Sequence, residues 1–328
     1  MKNKLKRIPV LLFILPVIVA FQSVQAQQTY LHTLPLIHSE TQTDPHLSKT
    51  FQMRGIPDLR VNIPGGDIEV EHIENTDKVD VELYTKRSFS LWSGTRSLDT
   101  YRIIVQQRGD QIIASVEDRR PGRTSRGGDI DFRFVIRVPA QASSNLRTIN
   151  GEILLSGVNG EHFLQNQTGD LRVKNSEGDI RITSTTGNIY LNDVHGNIFA
   201  KTVNGRIEAN RNQGEVRLRT VAGNIKAEEL SGTLVSGSTS GNIEAHFSDV
   251  SIGIHMETVS GNIELDIPRT TGYTVSGKAM RFNFDGIDSS SIKRRSVSSR
   301  NANVVIRDGD IPVNLSTVSG RISVREND

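Results

Sequence analysis

Glycine recurs at every ninth residue through Gly151, Gly160, Gly169, Gly178, Gly187, Gly196, Gly205, Gly214, Gly223, Gly232 and Gly241. An interval held this strictly means that one backbone bend is being repeated, and such periodicity constrains the fold before any local propensity does. Two residues after each glycine stand Ile153, His162, Leu171, Ile180, Ile189, Ile198, Ile207, Val216, Ile225, Leu234 and Ile243, a column that only His162 breaks. Two residues further on, Leu155, Leu164, Val173, Ile182, Leu191 and Ala200 begin a second apolar column. Apolar and polar positions therefore alternate with period two, the pattern of a strand buried on one face. Each unit is a short strand followed by a bend that glycine permits.

Nine residues are too few to close a coil. The residue three before the glycine sorts the units into two kinds: Thr148, Asn166, Ser184, Thr202, Thr220 and Ser238 are small and polar, whereas Gly157, Asn175, Asp193, Arg211 and Glu229 share no such character. The coil is thus eighteen residues, and the predicted fold is an all-β parallel β-solenoid, β-helix-like, with two nine-residue strand units per rung. Residues 148–255 supply six rungs, about 29 Å of stack at the usual spacing of about 4.8 Å. A stack of this kind exposes unpaired backbone at both ends, so its ends need caps.

The flanking sequence sets the domain plan. Lys2, Lys4, Lys6 and Arg7 precede an apolar run from Ile8 to Phe21, and Val24-Gln25-Ala26 suits cleavage before Gln27. Residues 1–26 therefore read as a signal peptide. The apolar run is shorter than the about 20 residues of a spanning helix, so no transmembrane segment is expected in the mature chain. Localisation follows: exported, to the periplasm, cell surface or extracellular space. Removing the signal takes the formal charge from +2 to −2, so composition offers no argument for a nucleic-acid partner. The chain has no cysteine, hence no disulfide.

Residues 27–54 are polar and aperiodic and read as a flexible lead-in. Residues 55–140 form a β-rich N-terminal region, either a sandwich-like layer or irregular first coils of the solenoid: short alternating runs begin at Leu59, Ile68, Val79, Tyr101, Gln111 and Asp131, separated by Gly, Pro and Asp turns. Arg108-Gly109-Asp110 has the composition of a hairpin turn, which takes precedence over an integrin-binding reading. The basic stretch Arg119–Arg126 reads as a solvated loop. The repeat domain occupies 141–328. Its period slips at Val250, where two residues are inserted, and lapses in an irregular excursion at 268–300 with one or two strands. It returns at Thr317-Val318-Ser319-Gly320-Arg321-Ile322.

Thr258-Val259-Ser260-Gly261-Asn262-Ile263, its relatives at Thr202–Ile207 and Thr220–Ile225, and the closing Thr317–Ile322 resemble the bacterial putative-adhesin family of β-strand-repeat domains of unknown function. Ile63-Pro64-Gly65-Gly66-Asp67-Ile68-Glu69-Val70 and Val135–Pro139 extend the likeness, which covers roughly residues 55–326. The resemblance implies the fold and an adhesin-like role, and it brings no catalytic motif.

The residues themselves exclude several chemistries. A calcium-binding nonapeptide ladder needs Gly-Gly-x-Gly-x-Asp, whereas here each unit has one glycine and Arg206 stands among the acidic and amide residues that follow it. The Asn residues in that column are expected to bond backbone in the bends or one another between rungs. No metal or cofactor site is expected. The enzyme alternative is a carbohydrate-active β-helix, a polysaccharide lyase or hydrolase, which needs two cooperating carboxylates such as Glu152 with Asp170 or Glu161 with Asp179. No catalytic motif accompanies these pairs, and His162, at an inward position, reads as a hydrogen-bonded structural histidine.

The favoured reading is a non-catalytic exported interaction protein that binds a surface glycan or protein. Eighteen-residue stacking aligns Phe163, Arg181, Phe199 and Arg217 in one outward column, with Lys201 and Arg219 in the column two residues along. These six residues form the candidate partner-binding face, expected to dock an anionic glycan or another protein, with the rings as platforms and Arg181, Arg217, Lys201 and Arg219 supplying charge. Alternating rings and guanidinium groups can also satisfy one another as a cation–π ladder.

Overall fold

The computed structural model describes residues 44–87, 98–119 and 130–327. The signal segment, most of the lead-in and the basic loop after Arg119 lie outside them. The compact unit Thr43–Asp328 is built of strands, with only two short 3-10 turns at Leu98–Thr100 and Ser289–Ser291 among the described residues. Among the described residues no helix is long and apolar enough to cross a membrane.

The eighteen-residue coil is present as read. Ile189 pairs with Ile207 and Leu171, and Ile198 pairs with Ile180 and Val216, all in parallel register. Each rung thus gives one strand to a back sheet, such as Ile207–Asn210, and one to a front sheet, such as Gln213–Ala222. The two sheets bury their apolar columns against each other. Ile189, Leu191 and Ala200 are fully buried, and complete burial of an Ile or Leu contributes about 1.5–3 kcal/mol.

The two kinds of bend have different physics. At one, a buried hydroxyl donates back to the previous rung: Thr202 Oγ1 to the Gly187 carbonyl, Thr220 Oγ1 to Gly205 and Thr258 Oγ1 to Gly241, each at 3.0 Å. At the other, Asn175, Asp193, Arg211 and Glu229 all adopt left-handed backbone, with φ between 51° and 54°. The alternation that fixes the coil length is therefore an alternation between a hydrogen-bonded corner and a left-handed corner. Outside the first corner runs an amide and carboxylate ladder, in which Asn188 Oδ1 accepts from Arg206 N–H, Asn224 from Asn242 and Asn242 from Asn262.

The N-terminal region is the start of the stack. Asp58–Ile63 and Gly66–His72 form a rung in register with Ser143–Thr148 and Ile153–Ser156. Gln111–Asp118 then adds in parallel to the front sheet and Tyr101–Arg108 closes it antiparallel. Ile130–Val138 adds to the back sheet, followed antiparallel by Lys78–Arg87 and then by Leu47–Gln52. The last of these corrects the lead-in reading: residues 47–52 are a strand. Its sequence Leu-Ser-Lys-Thr-Phe-Gln lacks strong alternation, and its place comes from pairing with Lys78–Arg87 rather than from local pattern. At Arg108-Gly109-Asp110 the chain makes the hairpin turn, with the Asp110 carboxylate accepting from Gly55 N–H at 3.1 Å.

The two-residue insertion appears as a bulge. Gly232 pairs with Val250, but Leu234 pairs with Ile254. The excursion holds three strands, one more than the upper expectation. Tyr273–Lys278 and Arg281–Gly286 form a further rung against Ile311–Ser319 and Arg321–Asn327. Asn301–Ile306 and Ile292–Val297 then extend the front sheet antiparallel, capping that end. Arg307 and the buried Glu326, 2.6 Å apart, pin this cap to the last strand.

Candidate functional site

The six predicted face residues divide between two outward columns. Parallel register places Phe163, Arg181, Phe199 and Arg217 on consecutive front strands, and Lys201 pairs with Arg219 in the parallel column. The first four line a groove of about 550 Å³. Lys201 and Arg219 do not line it.

The groove runs across six rungs, from Asp58 and Arg60 through Ser143 and Asn145 to Glu215 and Arg217. One wall is the Arg and Phe column. The other is a column two residues earlier that carries Asp58, Glu161, Asp179, Asn197 and Glu215. The sequence paired Glu161 with Asp179 but did not place Asp58 in the same wall, although the alternation Asp58-Leu59-Arg60 matches Glu161-His162-Phe163 and could have exposed it. With four carboxylates against Arg60, Arg181 and Arg217, the lining is close to charge balance. The guanidinium groups are largely engaged already. Arg217 Nε donates to Glu215 at 2.8 Å, Arg60 pairs with Asp58 at 3.1 Å, and Arg181 lies 5.3 Å from the Phe199 ring centroid. Arg147 covers Phe163 in the same way at 5.2 Å. Cation–π contacts of this kind are worth about 0.5–1 kcal/mol at exposed sites, so part of the face stabilises itself.

On the back sheet, the corresponding column carries its own charge network. Arg172 pairs with Glu152 and, at 2.9 Å, with Asp170, while its guanidinium stacks 4.3 Å from the Tyr190 ring. His246 bridges Glu244 at 2.9 Å and Asp266 at 2.7 Å. Among the described residues, no cluster of three metal-ligating side chains could hold an ion.

His162 forms a buried pair with Ser144 beneath the groove. The Ser144 Oγ lies 2.9 Å from His162 Nδ1, and His162 Nε2 lies 3.1 Å from the Val158 carbonyl. The carbonyl can only accept, so Nε2 carries the proton and Nδ1 accepts from the serine hydroxyl. Burial pushes the imidazole down to about 4, against a weaker opposing effect of the Val158 hydrogen bond. Ser144 is 5% exposed and His162 2% exposed, so the pair forms part of the groove's floor, with its polar atoms turned to each other and to the core. Glu161 and Asp179 lie on adjacent strands and both face solvent. A glycosidase acid needs a carboxyl held protonated by an apolar setting, which an exposed side chain lacks.

No curated protein matches the chain. Solved structures with partial likeness include a putative adhesin from Bacteroides fragilis, 13% identical with a TM-score of 0.41, covering 85% of this chain and 96% of that one. A putative adhesin from Parabacteroides distasonis is 12% identical with a TM-score of 0.35, covering 86% and 96%. A putative lipid binding protein from the same organism is 10% identical with a TM-score of 0.35, covering 85% and 96%. The family model Toastrack DUF4097 matches residues 213–325, the stretch that holds the Thr-Val-Ser-Gly-Asn-Ile motif and its closing copy. Through that stretch the chain is similar to Toastrack DUF4097, a bacterial family of unknown function.

Proposed function

We propose that this is an exported, non-catalytic interaction protein whose front face docks a glycan chain or an extended segment of a partner protein. The observation that carries the reading is the groove across six rungs, with Phe163 and Phe199 alternating with Arg181 and Arg217 along one wall and carboxylates along the other. Opposed rows of acceptors and donors suit a neutral polar ligand that offers hydroxyl or peptide groups to both. The balance of charge disfavours a strongly anionic ligand in the groove itself. Lys201 and Arg219, on the outer side of the ring column, would contact only a ligand wide enough to cross it.

The test is the double variant Phe199→Ala/Arg217→Ala, both exchanges on the surface. With an unchanged melting temperature, binding to a glycan array or to host and bacterial surface proteins should fall at least tenfold. Undiminished binding would remove the front face from consideration. Release of new reducing ends or unsaturated uronides from a polysaccharide panel would instead establish an enzyme.

A further inference from the structure

Five of the eight large hydrophobic side chains that the described residues expose lie along one edge of the stack: Val221, Val259, Val318, Met280 and Val297, from 44% to 66% exposed. Single exposed apolar residues are ordinary, but a row of them marks an interaction site. The placement follows from register. Val221, Val259 and Val318 each occupy the position two before the bend glycine, on rungs that stack through Thr220, Ser238, Thr258 and Thr317, with Thr239 standing between the first two. The added rung turns at Ala279 and Met280, where Met280 N–H donates to the Gly320 carbonyl, so Met280 continues the row. The capping hairpin brings Val297 and Arg300 to the same edge, tied by Ala279 N–H to the Arg300 carbonyl at 3.2 Å.

Around this row stand Lys278, Arg281, Arg300 and Arg321, all exposed. None of the four has an ion-pair partner among the described residues. Arg281 and Arg321 are direct register partners on adjacent strands. Like charges set opposite each other destabilise a sheet, so this pairing has a cost that an external anion would relieve. Glu257 stands two strands from Lys278 in register and lies 3.7 Å from His255.

Bends form the convex margin of the stack, so these apolar side chains protrude where a small-molecule site would be concave. Protruding apolar groups ringed by unpaired cations match the interfacial zone of a bilayer with anionic headgroups: the apolar tips enter the acyl boundary while the cations meet phosphate. We infer that this C-terminal edge docks the protein on an anionic lipid surface. The inference does not rest on the front groove, and the two surfaces are separable by mutation.

The mature chain from Gln27 is sedimented with phosphatidylcholine vesicles with and without about one-third phosphatidylglycerol. It should bind the anionic vesicles and leave the neutral ones, and 0.5 M salt should release it. The triple variant Arg281→Ala/Arg300→Ala/Arg321→Ala should weaken partitioning about a hundredfold, from about fivefold per cation near the surface. Met280→Ser/Val318→Ser should weaken it several-fold at unchanged charge, and Phe199→Ala/Arg217→Ala should leave it intact. Equal binding to neutral vesicles, no binding to anionic ones, or an unaffected triple variant with wild-type melting would overturn the inference. Binding to polyglutamate without binding to vesicles would also overturn it, assigning the edge to an acidic polymer.

Discussion

Gly178 shows how the repeat is enforced at a single residue. Its φ is +128°, and a Cβ there would stand 2.1 Å from the carbonyl oxygen of Gly160, its partner one rung earlier. The neighbouring backbone is held by pairing on both sides and cannot yield. Gly178→Ala should cost about 3 kcal/mol or more. Gly109, in the hairpin turn at φ +62°, has nothing near its absent Cβ, so Gly109→Ala should cost only the about 1–2 kcal/mol of left-handed backbone. Urea melts of the two variants would separate steric exclusion from conformational preference, and equal losses would refute the distinction. His162 adds a pH dependence. Its imidazole titrates near 4 in the folded chain and at 6.5 as a free side chain, so between those values the unfolded state binds more protons. Stability is complete above about pH 6.5 and falls as pH drops toward 4, by about 3 kcal/mol from this group. His162→Ile, which restores the apolar column, should flatten that slope in melts at pH 7, 5 and 4.

Within one rung, the left-handed corner is where sequence and backbone disagree. Gly157, Asn175 and Asp193 suit left-handed φ, but Arg211 and Glu229 hold φ 52° without a residue type that favours it. Arg211 gains a bidentate pair with Asp193, both contacts at 2.7 Å, and this hydrogen bond holds the Asp193 carboxyl below its ordinary value. Glu229 has no such ion pair among the described residues. Glu229→Asn should therefore stabilise the chain by about 1 kcal/mol, a rise of a few degrees in melting temperature. A lower melting temperature would mean that the glutamate contributes more than its strain costs. The same corner explains why the residues three before alternate glycines look unlike one another: their shared property is a backbone angle, and glycine, asparagine, aspartate, arginine and glutamate can each reach it at different cost.

For the molecule as a whole, the unit of insertion and deletion is eighteen residues. Removing 189–206 joins Asn188 to Ile207 and keeps every column in phase, so the shortened chain should retain a cooperative melt and strand-rich circular dichroism. Removing 198–206 deletes nine residues and puts Arg211 at the corner that Thr202 fills with no exposed surface. Burying that guanidinium without a partner costs several kcal/mol, and the chain should fail to fold or melt far lower. Equal behaviour of the two deletions would contradict the alternation of corners. The caps set the other limit. Their antiparallel strands end the parallel stack, and Lys293, Arg294 and Arg295 on the outer strand Ile292–Val297 oppose edge-to-edge growth.

The glycine interval, the two apolar columns and the alternating corner residue determined the coil, the inward faces and the cross-rung alignment. Each depends on a local period that parallel stacking repeats without change. The column Phe163 to Arg217 was legible for the same reason, as was the bonding of bend asparagines to backbone. What only the tertiary structure decided was everything contributed from outside the period. Asp58 and Arg60 extend the groove because their rung lies on Ser143–Thr148, 85 residues apart at the Asp58–Ser143 pair in a register that no local pattern encodes. The strand Leu47–Gln52 exists because Lys78–Arg87 offers it an edge. The buried Ser144–His162 pair and the addition of Met280 and Val297 to the row from Val221 to Val318 likewise arise from side chains brought together between strands. Alternation within a strand specifies which face a residue takes, but its neighbours across the sheet are set by pairing, and only the folded chain fixes that.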